Sequence, residues 1–269
     1  FLVAGFSLIL FTPARAQDAD LTYEIYAGGM HVLDAHLTMD LSAKSYHAAV
    51  VAKTQGVLGA LVPWSGSFDS VGTRAKAGYR IRTHKSVSTW KGSDDIALYQ
   101  YKADGSFAHL TLTDGGKDKT PKDVDPALTK GTTDILTATL NMMQKAGQEG
   151  ACADESAIFD SRRRFRLIYK DKGSATLPKS RYGLYSGPAM TCTAEVVPDG
   201  GAWHKKPRGW LSIQEQGRKQ GTLPTLWVAG IDPALPPVPV KIMVKTNYGT
   251  LFMHLTRAQI GARTKTAEK

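Results

Sequence analysis

The feature that most constrains this chain is a two-residue alternation of apolar and polar side chains that runs through residues 21–112. Leu21, Tyr23 and Ile25 alternate with polar positions, and the same pattern returns over residues 35–41. Successive side chains of a strand point to opposite faces, so this period indicates strands with one buried face. Turn signals rich in Gly and Ser recur about every ten to twenty residues. The region therefore predicts a meander of long antiparallel strands.

One segment, residues 133–146, has the spacing of an amphipathic helix. We expect Thr132 or Thr133 to cap its start and Gly147 to end it. Asp134 near its start and Lys145 near its end suit the helix dipole. Its apolar stripe consists of Ile135, Leu136, Leu140 and Met143.

Strand patterns return after this helix. Phe165, Leu167 and Tyr169 alternate with their neighbours, and residues 240–245 and 250–256 predict a hairpin across 247–249. A lone helix among strands needs a sheet to cover its apolar stripe. The predicted fold is mainly β, with a strongly curved antiparallel sheet, spiral or open-barrel-like, wrapped around one α-helix.

The first residues resemble an export signal. Residues 1–11 are almost wholly apolar, and Ala14-Arg15-Ala16 has the small residues of a cleavage site before Gln17. We expect residues 1–16 to be a signal peptide whose start lies upstream, residues 17–257 to form a single β-rich domain, and 258–269 to be a flexible tail. The apolar run is shorter than the roughly 20 residues that span a bilayer, so we expect a protein that is exported and not integral to a membrane.

The chain is basic, with 34 Lys and Arg against 24 Asp and Glu and a net charge of +10. A positive surface favours acidic partners such as anionic lipid or an envelope polymer. Export makes nucleic acid the least expected partner, and solubility alone is an alternative explanation of the charge. Cys152 and Cys192 are the two cysteines, and in an oxidising compartment we expect them to form a structural disulfide.

Several short motifs follow one another along the chain, at residues 23–28, 56–58, Phe68, Ser70 and Gly72, 133–138, 159–165, 187–192 and 239–242. Taken in order, they resemble the secreted bacterial family called domain of unknown function 3108. The resemblance covers nearly the whole expected mature chain. It implies an exported envelope protein with a spiral-like β-sheet, similar in outline to periplasmic lipoprotein carriers, and it assigns no catalytic residues.

Two basic segments are candidate ligand sites. The first places cations between two tryptophans, a pattern that suits an acidic headgroup or a glycan. The second has arginines that would share one strand face at roughly 6.6 Å spacing, which suits phosphates. Either segment could instead be structural, with the tryptophans anchoring a loop and carboxylates neutralising the arginines. The candidates are Trp203, His204, Lys205, Lys206, Arg208 and Trp210, and Arg162, Arg164 and Arg166.

The apolar bend at residues 56–64 could be a lip that meets lipid or a partner, but we favour its packing under the sheet. Ser88 and Lys91 match the Ser-x-x-Lys pattern of penicillin-recognising enzymes, yet they lie in a predicted strand and not at a helix start. His31, Asp34 and His36 do not converge as metal ligands should, so no metal site and no cofactor are expected.

The sequence therefore predicts a non-enzymatic periplasmic protein associated with the cell envelope. Its sheet could hold an acyl or anionic envelope ligand or a segment of an envelope protein partner. Two alternatives remain. A lipid or lipoprotein carrier would need an apolar cavity between sheet and helix. A hydrolase of envelope polymers would need a Ser or His within hydrogen-bond reach of a carboxylate in a cleft.

Overall fold

The computed structural model describes residues 17–206, 210–247 and 249–267. The predicted signal peptide and Arg208 lie outside the described residues. The strands are β1 (Gln17–Ala27), β2 (Met30–Leu41), β3 (Ser45–Thr54), β4 (Trp64–Ala75), β5 (Gly78–Trp90), β6 (Ser93–Tyr101), β7 (Phe107–Asp114), β8 (Lys117–Asp118), β9 (Asp154–Asp160), β10 (Arg163–Leu177), β11 (Gly187–Gly201), β12 (Thr225–Ala229), β13 (Val238–Thr246), β14 (Gly249–Ile260) and β15 (Arg263–Thr266). The helices are α1 (Gly56–Leu61), α2 (Pro126–Thr129), α3 (Ile135–Glu149) and α4 (Trp210–Lys219).

All of these strands belong to one 15-stranded antiparallel sheet. Strands β1 to β8 are neighbours in chain order, as the alternation predicts. Strand β14 pairs with β1 and so joins the two halves of the chain, and the order continues β13-β12-β11-β10-β9, with β15 beside β14. The path ends at β8 and at β9, so the sheet is not closed. The prediction of a mainly β, antiparallel fold is confirmed, and so is the β13–β14 hairpin.

Helix α3 starts from a cap that differs from the predicted one. The carboxylate of Asp134 accepts hydrogen bonds from the backbone N–H groups of Leu136 (2.8 Å) and Thr137 (3.1 Å), as an N-cap residue does. The prediction of Thr132 or Thr133 is therefore wrong. The backbone of Thr133 is engaged elsewhere, since its N–H donates to the carbonyl oxygen of Ala157 in β9 (2.9 Å).

The end of α3 also lies further along the chain than predicted. Gly147 is inside the helix, where it allows close packing, because a Cβ there would lie 2.9 Å from Cδ of Pro237. The helix ends at Gly150, which has a left-handed φ of 69° and is the usual type of residue for such a cap.

Three further helices were not predicted. Helices α1 and α2 are short, and α4 has few apolar residues and contains Gly217, so each gives a weak helical pattern. Gly217 has a packing reason, because a Cβ there would lie 2.7 Å from the carbonyl oxygen of Thr222.

The core lies between α3 and the sheet face that it contacts, called the inner face below. Helix α3 contacts β3, β4 and β5 on one side and β9 and β10 on the other. Its buried side chains include Leu140, Met142 and Met143, which join a cluster with Leu21 and Tyr46 of the sheet. Burial of this apolar area is the main stabilising contribution to the fold.

Cys152 and Cys192 form the predicted disulfide, with their Cα atoms 6.1 Å apart. Both residues are fully buried. The bridge ties the segment after α3 to strand β11, so it fixes the helix against the second half of the sheet.

The prediction of a flexible tail from residue 258 is wrong for the described part of that segment. Strand β14 continues to Ile260, with Ala258 and Ile260 buried, and β15 pairs with it. The two-residue alternation simply continues through these positions. Within the described residues, none of the helices combines the length and apolar character that crossing a bilayer requires.

The antiparallel order gives the sheet two distinct ends. One end, called the α1 end, carries the β1–β2 turn, helix α1, the β5–β6 turn, the β9–β10 turn and helix α4. The other end, called the opposite end, carries the β2–β3 and β4–β5 turns and the loop 230–237. Helix α3 runs from the middle of the sheet toward the opposite end, where Gln144 Nε2 donates to Lys76 O (3.4 Å).

Candidate ligand cavity

A cavity of about 330 Å³ lies between the inner face and the first turn of α3. Its size is at the lower end of the range for small-molecule sites, about 300–1,000 Å³. Ile135 at the helix start lines it and is half exposed, so the cavity meets solvent there. The lining residues are Val50, Phe68, His84, Ser86, Tyr99, Asp134, Ile135, Leu136, Ile158, Phe159 and Asp160.

The sheet wall of the cavity follows from strand register. Val50 of β3 pairs with Phe68 of β4, which pairs with Ser86 of β5, so the three side chains stand in one row on one face. Ile158 and Phe159 of β9 close the far side. The walls are therefore largely apolar, as a site for hydrocarbon requires.

The polar groups of the cavity gather at the start of α3 around Asp134. Besides the two backbone N–H groups, its carboxylate accepts hydrogen bonds from the hydroxyls of Ser70 (2.8 Å) and Thr137. Tyr46 Oη lies 2.5 Å from Thr137 Oγ1 and extends the network to β3. Asp134 is buried, and these donors replace the water that its charge has lost.

His84 completes this network. Its Nδ1 lies 2.8 Å from Ser70 Oγ and 3.5 Å from Asp134 Oδ1, and its ring lies 5.5 Å from that of Tyr99. Because Ser70 donates its hydrogen to Asp134, it accepts one from His84 Nδ1. Burial, followed by the nearby charge of Asp160, raises the pKa of Tyr99 to about 12, so its hydroxyl stays neutral.

These three residues are not arranged as a nucleophilic triad. In a triad the histidine accepts the serine proton through one ring nitrogen and binds the carboxylate through the other. Here the same nitrogen, Nδ1 of His84, faces both Ser70 and Asp134, and Ser70 is fully buried. The geometry suits a structural network that holds the helix start against the sheet.

The predicted site residues at 203–206 and 210 lie at the α1 end, and the two basic segments do come together. The indole of Trp203 packs on the core, donates to Gly200 O (2.7 Å) and stacks against the Arg163 guanidinium at 5.0 Å. The backbone N–H of Ala202 donates to Arg162 O (2.9 Å). His204, Lys205, Lys206 and Trp210 are exposed.

The arginine row is neutralised within the protein. Arg164 pairs with Asp199 (2.7 Å), and Arg166 pairs with Glu155 (3.1 Å). Arg162 is exposed in the β9–β10 turn and does not share the face of the other two. Arg164 and Arg166 therefore have the structural role of ion-pair partners, which was the alternative to ligand binding. Of the three arginines, Arg162 faces solvent, next to the 203–206 segment.

The sheet face that points away from α3, called the outer face, carries a cluster of aromatic and basic side chains that the sequence did not indicate. Lys241 Nζ lies over the rings of Trp227 (5.1 Å) and Phe252 (5.0 Å), and the His254 ring stacks on Tyr182 at 5.9 Å. Burial, and then the charge of Lys241, lowers the pKa of His254 to about 4, against the opposing effect of Glu24. His254 is therefore neutral at pH 7.

A wider cleft of about 630 Å³ lies at the opposite end, between α3 and the loop 230–237. Arg74, Gln144 and Asp232 contribute polar side chains to its walls. We favour the smaller cavity as the ligand site because its walls are more apolar and its few polar groups are already positioned. In the part of the chain that the structure describes, His, Cys, Asp and Glu form no group of three that could hold a metal ion.

The fold and the cavity define a single-sheet β protein with a ligand-sized space between sheet and helix. A family model described as "Protein of unknown function (DUF3108)" matches residues 22–256, and the chain belongs to this family. No curated protein matches. Among solved structures, the chain matches the crystal structure of a beta-barrel-like protein of domain of unknown function DUF1849 from Brucella abortus, with 11% identity, a TM-score of 0.46, and coverage of 94% of this chain and 100% of that one.

Three of the motif segments noted in the sequence meet at the cavity. Phe68 and Ser70, Asp134 and Ile135, and Phe159 come from three separate motif segments and lie around one space. Sequence analysis found the segments but not their meeting point, because residues such as Ser70 and Asp134 are 64 positions apart.

Proposed function

We propose that this protein is a non-enzymatic, periplasmic binding protein of the cell envelope that holds an apolar chain in the cavity between the inner face and α3. The observation that carries the proposal is the cavity itself, with apolar walls from Val50, Phe68 and Leu136 and an opening at Ile135. The disulfide and the basic charge support export to an oxidising envelope compartment.

The charges of the cavity indicate how such a chain would lie. Asp134 and Asp160 both line it, so an anionic headgroup inside would meet two carboxylates. An acyl chain would therefore enter with its hydrocarbon end first and leave its headgroup outside. The inner end then needs no polar partner, because Asp134 is already satisfied by protein donors.

The volume favours one chain over several. A carrier for a lipid with several chains needs a larger space than about 330 Å³. A single acyl chain, or one apolar segment of a partner protein, fits better. A hydrolase is disfavoured because Ser70 is buried and its proton goes to Asp134 rather than to His84.

Fluorescence titration with cis-parinaric acid, a single-chain fatty acid that brightens in apolar surroundings, tests the proposal. Val50→Trp fills the cavity, so we expect the affinity of this variant for cis-parinaric acid to be at least about tenfold lower than that of the wild type. Val51→Trp is the matched control, since the neighbouring side chain points to the outer face and is 50% exposed.

Circular dichroism and thermal unfolding show whether each variant folds, and Ser86→Leu offers a milder way to fill the same space. The proposal fails if the wild type does not bind the probe, or if the Val50 and Val51 variants lose affinity equally. Hydrolysis of a nitrophenyl ester that Ser70→Ala abolishes in a folded protein would support the hydrolase instead.

A further inference from the structure

The large apolar side chains left exposed on connections are concentrated at the α1 end. Val57 and Leu61 of α1 are each 73% exposed, and Met30, at the start of β2, is 64% exposed. Trp90, beside the β5–β6 turn, and Trp210, at the start of α4, are also exposed. Among the described residues, the connections of the opposite end expose no comparable side chain.

This finding corrects the preferred interpretation of the apolar bend at 56–64. None of the residues of α1 is buried, so the bend does not pack under the sheet. Helix α1 is held by its backbone, with Gln55 N–H donating to Val32 O (2.8 Å), and a Cβ at Gly59 would lie 2.9 Å from Thr54 O. The helix is fixed to β2 and β3 while its apolar side chains face solvent.

Exposed cations lie at the same end of the sheet as these apolar groups. Lys91 lies in the β5–β6 turn, Arg162 in the β9–β10 turn, and Lys205 and Lys206 precede α4. Asp94, Asp95 and Asp114 are at the same end, so the positive charge is greatest at the β9–β10 turn and the segment before α4.

We propose that the α1 end docks on the surface of an anionic lipid bilayer. The apolar side chains project from separate connections, and α1 and α4 are separated by four strand spacings, roughly 20 Å along the rim. A single peptide segment reaches such scattered groups poorly, whereas a planar interface meets them all at once. Interfacial binding of this kind combines buried apolar side chains with cations near anionic headgroups.

This docking surface adjoins the cavity, because Asp160 lines the cavity and Arg162 lies in the turn that follows it. The two share no residue, and the docking surface does not depend on the proposed function. If both hold, the protein would take an apolar chain while its α1 end touches the bilayer. The two proposals can fail separately. Val50 variants change the cavity and leave the α1 end unchanged, whereas α1 variants change the α1 end and leave the cavity unchanged.

Vesicle flotation tests the docking surface. Wild-type protein should float with vesicles of phosphatidylglycerol and phosphatidylethanolamine and much less with phosphatidylcholine alone. Val57→Ser with Leu61→Ser should reduce the bound fraction at least about tenfold, since each apolar side chain contributes to insertion. Val51→Ser with Val71→Ser is the matched control, because both residues are exposed but lie on strand faces away from the rim.

A charge pair of variants completes the design. Lys205→Glu with Lys206→Glu should weaken binding to the anionic vesicles, whereas Lys76→Glu with Lys102→Glu at the opposite end should not. The proposal is overturned if the wild type does not float, if the α1 and strand-face variants lose binding equally, or if analytical ultracentrifugation shows a dimer that the α1 variant converts to monomer.

Discussion

The two ends of the sheet differ in whether the apolar residues of their connections are buried or exposed. At the opposite end, Ile231 and Leu235 of the loop 230–237 turn inward and join the main core. At the α1 end, Val57 and Leu61 turn outward, although they belong to an equally apolar segment. The difference follows from α3, which extends toward the opposite end and gives the loop there something to pack against, as the contact of Gly147 with Pro237 shows. Helix α1 contacts β2 and β3 and α3 extends away from it, so apolar content alone does not decide burial.

The largest expected effect contrasts one leucine from each end. Leu235→Ala should lower the free energy of unfolding by about 2–5 kcal/mol, because it leaves a cavity in the core. Leu61→Ala should change it by less than about 0.5 kcal/mol, because that side chain is already in solvent. Urea denaturation of both variants measures the difference. Equal losses would show that α1 contributes to the core and would remove the contrast between the ends.

A smaller effect is expected at Asp134, where the covered and uncovered parts of the inner face meet. Asp134→Ala removes the N-cap of α3 and leaves the hydroxyls of Ser70 and Thr137 without their acceptor, so we expect a loss of about 2–3 kcal/mol. Asp134→Asn keeps an acceptor for the helix start and should lose less. Chemical denaturation ranks the two variants, and an Asn variant as unstable as the Ala variant would indicate that the charge matters more than the cap.

The smallest effect, taken over a single pH unit, concerns His254 on the outer face. The pKa of His254 is about 4 in the folded protein and near 6.5 when unfolded, so below pH 6.5 the unfolded chain takes up a proton that the folded chain does not. This residue should therefore contribute no pH dependence above pH 7, and stability should fall toward pH 4 by up to about 1.4 kcal/mol per pH unit. We expect the melting temperature of His254→Gln to fall less steeply with decreasing pH than that of the wild type, as thermal unfolding across this range would show. If both proteins show the same dependence on pH, His254 is not neutral in the folded state.

The sequence was sufficient to predict those elements whose residues repeat at the spacing of a strand or a helix. The alternation beginning at Leu21 gave the meander, the stripe of residues 135–143 gave α3, and the two cysteines gave the disulfide. The direction that α1 faces could not be predicted, because it depends on what the rest of the chain places beneath it. Helix α4 was missed because its apolar residues are few.

The candidate site was predictable only as separate motifs. Gly72 shows why: a Cβ there would overlap Arg80 O and the ring of Tyr46, so its role lies in contacts with distant residues. The contacts among Ser70, His84 and Asp134 also join residues that are distant in the sequence. They form only when two strands and the start of α3 are in place. The arginines that we predicted as ligand contacts are instead paired within the protein. Their partners Asp199 and Glu155 lie on neighbouring strands, so the local sequence around Arg164 and Arg166 did not show these ion pairs.

The path of this unclosed sheet ends at β8 and β9, two edges that could recruit strands from other molecules, and both of these strands have protective features. Strand β8 is only two residues long and consists of a lysine and an aspartate, which makes a poor template for further pairing. Strand β9 carries Asp154 and Glu155, and the chain just before α3 bridges to it at Thr133 and Ile158. These features let the sheet stay open while its end strands offer poor templates for further pairing.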